Sequence, residues 1–135
     1  MMRLVLAIIA GVVVGSIVNM GLVLLGGQVV PPPDGVDPAN VDSIKNSIAS
    51  YEGKHFVFPF LAHAVGTLVG AITAYLIAVE HKMLASLTIG GVFLIGGISM
   101  ANMIPQPTWF TILDLVFAYI PMGFLGGLIA KKLKA

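Results

Sequence analysis

Four long runs with almost no charge constrain this chain more than any other feature. Leu4 to Val30 and Met83 to Ile104 carry no charged side chain; Phe56 to Val79 holds only His63, and Trp109 to Ala130 only Asp114. Each run is about 22–27 residues long, and about 20 apolar residues suffice to cross a bilayer as a helix. Lipid offers backbone groups no hydrogen-bond partner, so a spanning segment must satisfy them internally. Strands of a barrel would alternate apolar and polar residues, whereas these runs are apolar on both phases. The expected fold is all-α: one domain over 1–135, an integral membrane antiparallel four-helix bundle. Its spans are expected at about 4–30, 56–79, 83–104 and 109–130, with an extracytoplasmic loop at 31–55. The first run follows a basic start, Arg3, but is about twice the length of a signal-peptide core and has no A-x-A site after it, so it reads as a retained span.

Composition narrows the function classes. The chain is 58% hydrophobic and 10% charged, against about 25% charged in soluble domains. Seven Lys and Arg against six Asp and Glu leave no basic face, which excludes nucleic acid as a partner. The absence of cysteine excludes a disulfide scaffold, thiol chemistry and cysteine-held metals.

Basic residues set the orientation. With the N-terminus in the cytoplasm, Arg3, Lys82, Lys131, Lys132 and Lys134 lie inside, and only Lys45 and Lys54 lie outside, as the positive-inside rule requires. The expected location is a bacterial inner (plasma) membrane, N-in and C-in, with the lipid bilayer as the first partner. In the outer loop, Pro31-Pro32-Pro33 ends the first span, and Asp37-Pro38 reads as a cap and first helical position. Val41, Ile44, Ile48 and Tyr51 fall on one stripe, so a short amphipathic helix is expected from about Pro38 to Glu52, ended by Gly53. It reads as a lid on the bundle or on the headgroups, or as a gate or a partner-docking surface. The short connections at Glu80-His81-Lys82 and Pro105-Gln106-Pro107-Thr108 make the spans they join antiparallel neighbours.

Small residues organise the spans. Gly11 and Gly15 share a face of the first, and Gly66/Gly70 and Gly123/Gly127 are G-x-x-x-G pairs. Membrane helices gain little from hiding apolar surface, so close approach at small residues is how they associate. The six glycines serve packing within the chain, or docking of a partner or a second copy. Gly90-Gly91 and Gly96-Gly97 suggest a central third span. Pro121 removes a backbone hydrogen bond and is expected to kink the fourth.

The remaining polar residues cluster in depth. Asn19, His63, Asn102 with Ser99, and Asp114 all fall in the outer third of the membrane, one set per span, with Thr67 one turn below His63. An aspartate at mid-span costs roughly 2.5–3.5 kcal/mol on insertion scales, so Asp114 is expected to face the interior. His63 is the titratable intramembrane partner open to it. Asn19, Thr67, Ser99 and Asn102 complete a candidate polar pocket. Four readings follow: a structural hydrogen-bond cluster that fixes helix register; an outward-facing pocket that binds or passes a proton, ion or small polar solute; a non-catalytic accessory subunit docking through glycine faces; and a membrane-embedded enzyme using His63 and Asp114. No nucleophile motif supports the last. One histidine and one aspartate fall short of the three or four ligands usual for zinc, and no cofactor is called for.

Overall fold

The computed structural model describes residues 1–37 and 39–134. Its elements are α1 (Met2–Val29), α2 (Val41–Ser47), two short 3-10 turns (Ile48–Ser50 and Gly53–Phe56), α3 (Val57–Ile77), α4 (Lys82–Met103), α5 (Thr108–Phe117) and α6 (Ile120–Lys134). No strand occurs among the described residues. Four helical stretches are long and apolar enough to cross a membrane: Met2–Val29, Gly53–Ile77, Lys82–Met103 and Thr108–Lys134. Their outward surfaces are rich in large apolar side chains, such as Ile9, Ile17, Ile95 and Ile112.

Glycine sets the closest helix contact. Carbonyl oxygens of Gly70 and Gly66 lie 2.7 Å from where Cβ atoms on Gly11 and Gly15 would stand, and the Gly11 carbonyl lies 2.6 Å from that position on Gly70. The pairs 11 with 70 and 15 with 66 run in opposite chain directions, so α1 and α3 are antiparallel. Gly123 meets the Ser86 carbonyl and Gly90, while Gly127 meets Met83 and Ser86. All six predicted packing glycines thus face helices of their own chain. Ser86, unexposed, shares its hydroxyl hydrogen between the carbonyls of Ala71 and Gly123, each at 3.0 Å, and so ties α4 to α3 and α6.

Three expectations are corrected. The central helix is α3, which packs on α1, α4 and α6, rather than the span at 83–104. Positions on Gly91 and Gly96 open into empty space, whereas α3 buries Ala62, Gly66, Gly70, Ala71 and Ala74. The loop helix begins at Val41, capped by Asn40, whose side chain accepts from the Ser43 amide. Asp37 is occupied in its own turn, accepting from the Ala39 amide at 3.0 Å; the expected first position, Pro38, lies outside the described residues. Gly53 opens a second turn rather than ending the helix; Glu52 and His55 form a reciprocal capping box around that turn. At Pro121 the helix does more than bend. It stops at Phe117 and restarts at Ile120, because proline cannot bond the Phe117 carbonyl.

Basic residues gather at one end. Arg3 donates from Nε to the Ile77 carbonyl at 2.9 Å, capping a helix C-terminus where cations are favoured. Lys82 stands 5.7 Å from the Tyr75 ring centre.

Candidate functional site

The polar cluster forms where three elements meet. His63, on α3, places Nδ1 2.8 Å from Oδ1 of Asp114 on α5. Tyr119, in the interruption between α5 and α6, donates its hydroxyl to Oδ2 of the same carboxylate at 3.1 Å. Asp114 is 2% exposed, so these two contacts occupy both oxygens of a buried group. An ionised carboxylate only accepts hydrogen bonds. The tyrosine O–H and a histidine Nδ1–H are the donors it needs, and every buried side-chain N or O atom described has a partner. The Tyr119 ring also stacks on His63, with centres 5.7 Å apart.

With Nδ1 committed to Asp114, His63 keeps Nε2 as its working atom. Nε2 has no hydrogen bond among the described residues and is not a buried orphan, so it is reached from the space beside it. His63 lines a cleft of about 240 Å³ with Ser16, Asn19, Thr67, Phe93, Gly96, Gly97, Met100 and Tyr119. A second, larger chamber of about 380 Å³ shares Asn19, His63 and Met100 with it and extends to the loop. Val41, Ile44, Ile48 and Tyr51, the stripe seen in the sequence, line this upper chamber. Tyr51 meets His55 edge-on at 5.2 Å, and burial pushes its phenol above the ordinary tyrosine value.

The predicted pocket residues therefore separate. Asn19, His63 and Thr67 line the cleft, and Asp114 stands behind His63. Thr67 spends its hydroxyl hydrogen on the His63 carbonyl one turn back, at 2.7 Å. Ser99 and Asn102 do not join them. Both are exposed, and Ser99 bonds the Ile95 carbonyl of its own helix, because the α4 face toward the cleft is the one bearing Phe93, Gly97 and Met100. Tyr119 escaped the sequence reading. A spacing of five from Asp114 lies off one face of a continuous helix; only the break before Pro121 turns its ring back toward the carboxylate. Gly97 makes room for it, since a Cβ there would stand 2.6 Å from the Tyr119 hydroxyl. Among the described residues no three His, Asp or Glu side chains converge as a metal site would require.

Fold and cluster together define a class: a small all-helical protein with four membrane-length helices and a His–Asp–Tyr cluster beside a cleft. No protein-family model matches the chain, and neither do the curated proteins or the solved structures.

Proposed function

We propose that this chain is an antiparallel four-helix bundle of a bacterial inner membrane, N-in and C-in, whose outward-facing cleft binds or passes a proton, an ion or a small polar group at His63. The observation that carries this reading is the division of labour on one imidazole. Nδ1 is held by a buried carboxylate, while the ring, 28% exposed, lines both the cleft and the adjoining chamber that reaches the loop. A carboxylate behind one ring nitrogen fixes the tautomer and orients the other nitrogen for binding. A proton or cation arriving at Nε2 meets the negative charge of Asp114 one ring away, so the site is built for a positive or hydrogen-donating guest.

Other features support the same arrangement. The interruption between α5 and α6 falls beside the cluster, and broken helices at membrane depth commonly mark binding sites. Arg3 lies at the α3 end opposite the loop, and Lys82 lies beside Lys134, which fits a cytoplasmic basic end. The glycine faces are occupied within the chain, which favours a pocket over an accessory subunit docking through them.

Histidine-selective ¹⁵N NMR in lipid nanodiscs tests the site, since only His55, His63 and His81 contribute. The neutral His63 ring should carry its proton on Nδ1, and the signal should vanish in His63→Gln. A neutral His63 protonated on Nε2 would remove the acceptor on which the reading stands.

A further inference from the structure

The two cavities adjoin at His63, which lines both together with Asn19 and Met100. Toward the cluster, the smaller cleft offers the Nε2 lone pair and the Asn19 amide. Toward the loop, the larger chamber is walled mainly by apolar groups, from α1, the stripe of α2 and aromatic rings including Phe56 and Phe110, with Lys54, His55 and Gln106 as its polar additions. A solute that is polar throughout would leave the apolar wall of this upper chamber unmatched. The smaller cleft, at about 240 Å³, has room for a single ring, since about 150 Å³ accommodates benzene. The upper chamber, at about 380 Å³, lies in the ~300–1,000 Å³ range of small-molecule sites.

A route from the bilayer also exists. α1 and α4 approach closely at Gly11 with Ile89 and at Gly15 with Phe93. Beyond that contact the cleft passes between Ser16 on one helix and Gly96 and Met100 on the other, all three exposed. Their helices carry the apolar side chains of Ile17 and Ile95, each 67% exposed. The seam therefore opens on the surface that faces lipid.

We propose that the two cavities sharing His63 together take a bilayer-resident amphiphile, with a small hydrogen-donating head on His63 Nε2 and an apolar body in the chamber beneath α2. This rests on the reading of His63 as the binding atom and adds the class of molecule that supplies the polar group. The head must donate, because Nε2 of the Nδ1–H tautomer can only accept. One such hydrogen bond is worth about a tenfold preference over a matched head that cannot donate.

Trp109, the single tryptophan, reports on the upper chamber. Its ring lies 5.6 Å from Phe56 and 5.9 Å from Phe110, both of which line it. The test titrates the full chain in nanodiscs with 4-octylphenol and with its methyl ether, following Trp109 emission. The expected result is a saturable response with about tenfold tighter binding of the phenol, a preference erased in His63→Leu. Filling the chamber by Ile44→Phe, or from the opposite wall by Val23→Phe, should weaken both probes. A non-saturable response, or equal affinity for the two probes in the parent, would overturn the proposal. Aqueous labelling of Ser16→Cys separates the two levels. If that cysteine labels and the phenol does not saturate, the amphiphile is wrong and the polar site stands; if it is protected as well, both fall.

Discussion

Gly70→Ala should lower stability in detergent or nanodiscs by about 1–3 kcal/mol, the usual cost of overpacking a close contact, and Gly70→Leu should abolish a monodisperse folded species. The added Cβ would stand 2.6 Å from the Gly11 carbonyl and 3.2 Å from Ile89. Backbone cannot rotate aside as a side chain can, so α1 and α3 must separate, and the Gly15–Gly66 contact opens with them. Gly91→Ala supplies the control within the same protein. Nothing lies within 4 Å of its Cβ position, so its melting temperature should stay near the parent's or rise, since alanine is the better helix former. Equal melting of Gly70→Ala and Gly91→Ala, followed by circular dichroism, would refute the packing account. The effect should persist in a monomer, because the partner glycines belong to the same chain.

Asp114→Ala should cost about 1–3 kcal/mol, the penalty for stranding polar groups that had a buried partner. It removes the acceptor of both His63 Nδ1 and the Tyr119 hydroxyl. Asp114→Asn should recover most of that loss. Its amide oxygen can accept from His63, and its amide nitrogen can donate to the tyrosine oxygen. The two variants thereby split structure from charge: asparagine holds the ring in place without the negative charge behind it. Thermal melts of the three proteins check the order, parent and asparagine close together and alanine lowest. If alanine and asparagine lose equally, the hydrogen bonds are not what the carboxylate contributes.

The four long helices were legible because charge is so scarce: one Asp or His in a run of span length still reads as a span. The cost of placing Asp114 in lipid pointed inward, toward His63, and the two side chains lie 2.8 Å apart. Depth could be read from residue counts at a fixed rise per residue. Rotation about each helix axis could not, and it decides which face meets the cleft. Ser99 and Asn102 share the depth of the cluster but sit on the exposed side of α4. Asn19 is at the same level on the correct side of α1. Rotation also separates Gly90 and Gly97, which pack on Tyr119, from Gly91 and Gly96, which face open space. Tyr119 depended on a helix break, and Pro121 marked a perturbation without giving the angle at which the chain restarts. The cap shift from Asp37 to Asn40 is a competition between two good caps three residues apart, settled by Asp37 turning on its own backbone.

The claim on which the rest depends is that water reaches the His63 cleft from the outer side. The chain has no cysteine, so single substitutions report without background. Ser16 lines the cleft; Ile17, its neighbour at the same depth, is 67% exposed and lies outside the cleft lining; Asn40 caps the loop helix α2. Each would be replaced by cysteine and intact cells treated with a membrane-impermeant, water-soluble thiol reagent. The expected result is labelling of Ser16→Cys and Asn40→Cys with Ile17→Cys protected in lipid. Protection of Ser16→Cys alongside Ile17→Cys, with Asn40→Cys labelled, would contradict the account and leave the cluster as a dry tie between helices.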